Sequence, residues 1–387
     1  MIPLKYNVRN LRARWINTLM TVLGTGLIVG ASCGLFSLVE GLEHAMNLSG
    51  DPLDLIILRK GSTSETSSGF ELDKADKLAN LDGVARDTEG RPLCAGELIH
   101  IPVVERASGG RTNLIIRGVL PVSRELRSKF RIEQGRDLVP GRGEAIVSQT
   151  ISRRFKGTDL GGTIQVGPKE SYRVVGLFSA GGGAAESEVW VDIKDLRQNT
   201  RREGYVSVAQ LRAESPRALA SLQKTIQNDD QFKLSALTEA AFYAEQNRTA
   251  LFYKVAGVVI AVFLSIGAMF AAANTMYAAV GSRTREIGTM RALGFSRFDL
   301  LVSFLGESLL LCSLGGILGV LATLPLSFLT FGTNSVDTFA EVSVHFRTGP
   351  MVLAVAFAMT LAMGLFGGLF PAIRAVRLDV ITALREL

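Results

Sequence analysis

Polar and apolar positions along this chain fall into two regimes. Four stretches are almost free of charge: Ile16–Val39, Val255–Ser282, Leu300–Thr330 and Thr348–Ile373, with Glu307 the one charged residue among them. Each exceeds the roughly 20 residues that a helix needs to cross a hydrocarbon core about 30 Å thick. A soluble helix of that length keeps a polar face, and none of these does. The pattern therefore predicts four transmembrane helices and weighs against four buried helices of a soluble protein. The first run is longer than the apolar part of a signal peptide, and no A-x-A cleavage site follows it. Gly30-Ala31-Ser32-Cys33 has a faint likeness to a lipoprotein cleavage box, but Gly34-Leu35-Phe36 continue the run. It reads as an uncleaved anchor.

Between the first two runs the period changes. Strand-length apolar segments recur at Leu53–Leu58, Leu98–Val104, Asn113–Leu120, Ala145–Ser148, Thr163–Val166, Tyr172–Phe178, Val189–Ile193 and Tyr205–Leu211. Ser108-Gly109-Gly110 reads as a hairpin loop between two of them. Leu72–Leu81 reads as a helix. Ser215-Pro216 opens another that runs to about Asn228. Thr238–Lys254 reads as a helix running straight into the second span, which would couple the domain rigidly to the membrane. The expected class is a polytopic α-helical membrane protein with four transmembrane helices plus a large α+β extracytoplasmic domain. The expected divisions are 1–15, span 16–39, domain 40–250 in two subdomains (insertion about 95–200), span 251–280, loop 281–299, span 300–330, loop 331–349, span 350–373 and tail 374–387.

Charge orients these pieces. The 387 residues carry a net charge of +6, with a pI near 9.3, which would ordinarily raise nucleic acid as a partner. The basic residues are not spread that way. Lys5, Arg9, Arg12 and Arg14 lead the chain without an acid; Arg283, Arg285, Arg291 and Arg297 face only Glu286 and Asp299; Arg374, Arg377 and Arg385 face Asp379 and Glu386. Residues 40–254 are nearly balanced, with 30 Lys/Arg against 29 Asp/Glu. The excess marks the cytoplasmic side: both termini and the 281–299 loop inside, residues 40–254 and 331–349 outside. The partner implied is a lipid bilayer, not nucleic acid. Cys94 is the only cysteine of the domain, since Cys33 and Cys312 lie in spans, so no internal disulfide is expected there.

Catalytic motifs are not found. Lys224-Thr225 follows Gln223 and cannot be the Gly-Lys-Ser/Thr of a phosphate-binding loop. His44, His100 and His345 are scattered, without metal-site spacing. Gly181-Gly182-Gly183 reads as a flexible loop. No catalytic residue, metal or directly bound cofactor is expected. Glu307 is different: a carboxylate in a span costs about 2.5–3.5 kcal/mol on insertion scales and needs a partner or a role. It either snorkels or bonds a neighbouring helix near the interface, or it serves coupling. Gly26, Gly30 and Gly34, with Gly315/Gly319 and Gly364/Gly368, repeat the spacing that lets helix backbones approach closely. Packing within the chain and dimerisation both use it.

The layout of one span, a large domain and three further spans resembles the MacB/FtsX/LolC-type ABC transporter permeases. Arg283-Thr284-Arg285-Glu286-Ile287-Gly288 with Arg291-Ala292-Leu293-Gly294 is similar to that family's cytoplasmic loop. Glu307-Ser308-Leu309-Leu310 with Gly315-Gly316 and Gly319 is similar to its third span, and Pro371-Ala372, Arg374-Ala375, Arg377-Leu378 and Ala383-Leu384-Arg385 to its C-terminal signature. Gly135-Arg136, Gly143-Glu144-Ala145-Ile146-Val147 and Val174-Val175-Gly176 resemble its periplasmic core domain. The resemblance implies a bacterial inner-membrane permease without a fused ATPase, as in DevC-like members. ATP would be used by a separate ATPase subunit. It further implies a second permease copy or paralogue, a possible periplasmic adaptor or membrane fusion protein, and export or extraction of a lipid, lipoprotein, peptide or drug by mechanotransmission. An FtsX-like regulator of outer hydrolases is the alternative. The 281–299 loop would dock on the ATPase with Ile287, Met290 and Leu293 as anchors and Arg283, Arg285, Glu286 and Arg291 at the rim.

Overall fold

Helices occupy all four uncharged runs. In this computed structural model, which describes residues 15–47, 51–167, 170–246, 248–328, 330–334 and 341–378, they are Trp15–Asn47, Arg248–Gly281, Arg297–Thr323 and Pro350–Val376, the first to fourth spans. All four are long and apolar enough to cross a membrane. Their ends differ from the run ends for local reasons. The first continues past Val39 through Glu40 and Glu43, because a charge ends an apolar run but not a helix. The third stops at Thr323 and tightens into a 3₁₀ turn, Leu324–Phe328; Pro325 lacks the N–H that would continue the α-helix. Its start is fixed by a capping box, in which Ser296 and Asp299 exchange bonds with each other's backbone N–H. Thr330–Asn334 and Glu341–His345 form a two-stranded pair.

The chain separates into two compact units. A helical unit comprises Met1–Gly41, Leu251–Thr330 and His345–Leu387, and an α/β unit comprises Leu42–Ala250 and Phe331–Val344. In the helical unit the spans share two apolar clusters. One joins Val22, Met276, Val280, Leu300, Phe304 and Ala372; the other joins Val29, Cys33, Ala268, Cys312, Val352 and Met363.

The α/β unit is built on one mixed sheet. Its strands are β1 (Asp54–Arg59), β2 (Phe70–Glu71), β3 (Cys94–His100), β4 (Val103–Glu105), β5 (Arg111–Asn113), β6 (Ile115–Val119), β7 (Arg131–Gly135), β8 (Glu144–Ser148), β9 (Thr163–Gln165), β10 (Ser171–Ser179), β11 (Glu188–Asp192), β12 (Tyr205–Val206), β13 (Val208–Arg212) and β14 (Leu234–Thr238). The main sheet runs β14-β1-β13-β3-β6-β11-β8-β10-β7, with β9 on β10. β3 is the hinge of this order. Cys94–Glu97 pair with β13, and Leu98–His100 pair with β6. β4 and β5 form the hairpin expected around Gly109 and Gly110, whose φ angles of 92° and 85° suit glycine.

Four helices matter here: α1 (Leu72–Leu78), α2 (Ile193–Thr200), α3 (Pro216–Asn228) and α4 (Glu239–Gln246). Ser215 caps α3 by accepting from Ala218 N–H, and Pro216 occupies its first turn. One sheet face is mostly apolar. Leu55, Ile57 and Leu211 pack with Leu78 of α1 and Leu222 and Ile226 of α3. Leu98, Ile116, Val189 and Val191 pack with Ile193 and Leu196 of α2. The helix expected over Thr238–Lys254 meets residue 247, which lies outside the described residues, so α4 and the second span are described separately. β7 and β14 carry no strong apolar alternation and were absent from the expected strands; β7, nearly all exposed, is an edge strand held by β10. The pairing brings together the separate glycine-bearing motifs of this domain: Gly135 lies opposite Gly176, and Arg136 grips Glu144 with bonds of 2.7 and 2.5 Å.

Candidate functional site

The segment between the second and third spans folds as a short helix, Thr284–Ala292. Glu286 in its first turn and Arg291 in its last both favour the helix dipole. It ends in a Schellman motif: Gly294, at φ 95°, donates to Arg291 C=O, and Phe295 N–H donates to Met290 C=O. Gly294 is thus a stop signal that sends the chain into the third span.

This loop helix is part of the bundle. Arg283, just before it, is buried and donates to Glu307 of the third span, Nη1 to Oε2 at 3.1 Å and Nη2 to Oε1 at 3.4 Å. The carboxylate's partner is therefore an arginine contributed by the loop. Ile287 is 1% exposed and sits in the cluster with Val22, Leu300 and Ala372, and Met290 packs against that cluster. The residues grouped from sequence as one docking surface thus divide. Arg283, Ile287 and Met290 turn inward; Arg291 is half-buried; Arg285, Glu286 and Leu293 face out. Docking anchors at Ile287 and Met290 do not fit this packing, because their side chains are already occupied. Sequence reading missed Phe298, which is exposed at the start of the third span between Arg297 and Asp299. An aromatic between two charges was the available signal.

The glycine stripes serve contacts within the chain. A Cβ on Gly26 would lie 3.0 Å from Gly315 C=O, and one on Gly30 3.3 Å from Gly319 C=O, so the first and third spans meet backbone to backbone. A Cβ on Gly364 would lie 2.9 Å from Leu309, and one on Gly368 2.5 Å from Ser308. Gly34 meets only Leu326, at ordinary contact distance. Gly319→Val is expected to push its Cβ to 2.5 Å from Gly26 C=O and to cost roughly 1–3 kcal/mol of overpacking. Gly267→Ala, with open space around it, is the control. Thermal unfolding of the detergent-purified protein checks this; equal midpoints for the two variants would refute the packing role.

The α/β unit holds a second constellation, which sequence reading did not pick out. Asp54 lies opposite Arg212, Val208 opposite Glu97, Ile99 opposite Arg117, and Arg117 opposite Trp190. Side chains alternate along strands, so Asp54, Gln210, Arg212, Glu97, Arg117 and Glu188 all share the face opposite the apolar one. All are buried or nearly so. Arg117 donates to Glu188, Glu97 and Glu65, and Arg127 donates twice to Glu97 while lying 5.0 Å over the Trp190 ring. Burial opposes ionisation of Glu97, but Arg127 and Arg117 outweigh it and hold the carboxyl at about 2. A cavity of about 220 Å³ opens on this side, lined by Asp51, Leu126, Phe130, Gly183, Glu239 and Tyr243 among others. Gly181–Gly183 is not loose at its edges: Ala180 N–H donates to Glu186 at 2.6 Å and Gly182 N–H at 3.3 Å.

Comparison with known proteins places these two units in context. The MacB-like periplasmic core domain matches residues 18–229, and the FtsX-like permease C-terminal domain matches residues 258–380. A macrolide export ATP-binding/permease protein, MacB, of Bdellovibrio bacteriovorus is 24% identical over 97% of this chain, and one of Rhodospirillum rubrum is 26% identical over 98%. The chain spans 60% of the length of each. Among solved structures, the periplasmic region of MacB from Actinobacillus actinomycetemcomitans aligns with 51% of this chain and 93% of its own, at a TM-score of 0.38 and 10% identity. The core-domain match covers more than half of the sequence and the permease match covers most of the remaining C-terminal residues, so the chain belongs to the MacB/FtsX-type ABC transporter permeases.

Proposed function

We propose that this chain is a permease subunit that couples ATP hydrolysis on a separate ABC ATPase to movement of its α/β unit, exporting or extracting an amphipathic substrate. The observation that carries this reading is the loop helix. Its back is built into the span bundle through Ile287 and the Arg283–Glu307 pair. Its front and the start of the third span present Leu293, 74% exposed, and Phe298, 68% exposed, among Arg285, Glu286, Arg297 and Asp299. Exposed apolar side chains ringed by charges suit a groove on a protein partner better than lipid. A helix fixed behind and open in front can pass a push from that partner to all four spans. The excess of Lys and Arg in 1–15, 281–299 and 374–387 supports a cytoplasmic loop and cytoplasmic termini, with the α/β unit outside. A second permease copy and a periplasmic adaptor complete the proposed assembly, and macrolides, after which the relatives are named, are the first substrates to try.

Leu293→Asp combined with Phe298→Asp is expected to abolish co-purification of the ATPase while leaving the permease monodisperse. Ile287→Ala, by contrast, is expected to lower the melting temperature first. Retention of the ATPase by the double aspartate variant would sink the docking reading.

A further inference from the structure

α4 is the last element of the α/β unit before the second span in sequence, and it lies on the charged side of the sheet. Phe242, 2% exposed, packs with Ile56, Leu58 and Val208. Tyr243 meets Phe242 edge-on and lines the 220 Å³ cavity. The first residue of α4 is Glu239, 5% exposed. Its Oε2 accepts from the backbone N–H of Asp51 at 2.8 Å, and its Oε1 accepts from Gln210 Nε2 at 3.4 Å. Asp51 is the first described residue after the first span. One carboxyl therefore ties together the two segments that connect this unit with the first two spans.

The surroundings of Glu239 suit a neutral acid. Asp51 and Asp54 face it from the β1 side, Gln210 and Arg212 from β13, Arg127 from across the cavity, and Tyr243 from its own helix. The nearby cations are committed elsewhere: Arg212 to Asp54 at 2.7 and 2.9 Å and to Asp51 at 3.2 Å, and Arg127 to Glu97 at 2.8 Å. Burial above all, reinforced by the charges of Asp54 and Asp51, pushes the Glu239 carboxyl up to about 8. The adjoining cavity gives water and the helix somewhere to go once that carboxyl ionises.

We infer that Glu239 is a proton-operated latch: α4 stays seated on the sheet while this carboxyl is neutral, and its ionisation beside Asp51 and Asp54 unseats the helix. Seated, the group holds its proton up to about pH 8; released into water, it returns to the ordinary glutamate range near 4.3. Across that window the seated state binds a proton that the released state lacks, so seating weakens as pH rises and levels off above it. The functional consequence rests on the proposed coupling reading, because a released α4 would slacken the link ahead of the second span. The latch itself is tested without ATPase or substrate, so the two can fail separately.

Hydrogen exchange on the full-length protein in nanodiscs, corrected for intrinsic rates, measures the latch at pH 6 and pH 8.5. Protection of the Ala241–Gln246 amides in the wild type is expected to fall by a factor of ten or more, on the order of one decade per pH unit crossed. Glu239→Gln, fixed in the neutral state, is expected to stay protected at both values. Infrared spectroscopy supplies the second measurement: a protonated-carboxyl band present at pH 6, lost by pH 9 and missing from E239Q. Parallel exchange in the two proteins overturns the proposal. So does the absence of that band, or loss of protection in E239Q at both pH values, which would mean that the acceptor rather than the proton holds the helix.

Discussion

Arg117→Ala is expected to cost the α/β unit about 3–5 kcal/mol, the range for breaking a buried ion pair from one side. All five guanidinium N–H groups are used. Nε and Nη2 reach Glu188 at 2.7 and 2.6 Å, Nη1 reaches Glu97 at 2.8 Å, and Nη1 and Nη2 reach Glu65 at 3.0 and 2.7 Å. Alanine would leave three carboxylates facing one another with only Arg127 among them. Arg117→Lys keeps the charge but offers three donors where five are used, so an intermediate loss is expected. Trp190, bonded to Glu188 through its indole N–H, reports the transition by fluorescence, and a Trp15→Phe background removes the chain's other tryptophan. Acid should narrow the gap between wild type and variant. Glu97 is held at about 2, so its contribution is present above the normal glutamate range and lost as pH falls toward 2. Without Arg117 the Glu97 carboxyl loses one of the charges that hold it down and protonates earlier, which relieves the variant first. A loss below roughly 1 kcal/mol at neutral pH would show that the row is merely tolerated.

Glu307→Ala is expected to be comparably severe, and for two reasons that can be separated. Arg283 would be left with its side chain only 7% exposed and no counter-charge, again a cost of about 3–5 kcal/mol. The turn carrying it would also lose its tie to the third span and with it the placement of the loop helix. Arg283→Met combined with Glu307→Leu removes both charges and keeps the volume, and buried pairs replaced in this way are often neutral or stabilising. The double variant should therefore recover the wild-type melting temperature in detergent. On the proposed coupling reading, its complex with an ATPase should still hydrolyse ATP but with less transport per turnover, because the tether is gone. If E307A melts with the wild type, the pair is not structural. If the double variant transports normally, the pair does not position the loop.

These two sites show where the sequence was informative. The spans were legible because a bilayer demands a long, nearly uncharged run. Glu307 stood out for the same reason. Its partner did not, since Arg283 sits in a loop whose arginines all satisfy the charge rule that orients the chain, and only folding distinguishes one of them. The α+β domain was legible from Leu53–Leu58, Ala145–Ser148 and Val189–Ile193, which are apolar runs of strand length. The charged row was not. Arg117 lies within Ile-Ile-Arg-Gly-Val and Glu97 within Ala-Gly-Glu-Leu-Ile, and each taken alone looks like a solvated outward position. A face becomes visible only when register aligns Asp54, Glu97, Arg117 and Arg212 across neighbouring strands. The glycine stripes left packing and dimerisation open because spacing names a face without naming the neighbour; the close approaches of Gly26 to Gly315 and Gly30 to Gly319 supply it.

The place of β1 in the sheet bears on how the protein is made. Its two neighbours, β13 and β14, are among the last strands of the unit to be synthesised. Until they emerge from the ribosome, Leu55-Ile56-Ile57-Leu58 is a bare strand with both edges open, the kind of segment that pairs with whatever it meets. Asp54 and Arg59, one at each end of it, act as gatekeepers during that wait. Pairing over so long a sequence separation is slow. β1 therefore pairs only after β13 and β14 have been translated, and a nascent chain stalled before β13 should be open to proteases at Leu55–Leu58.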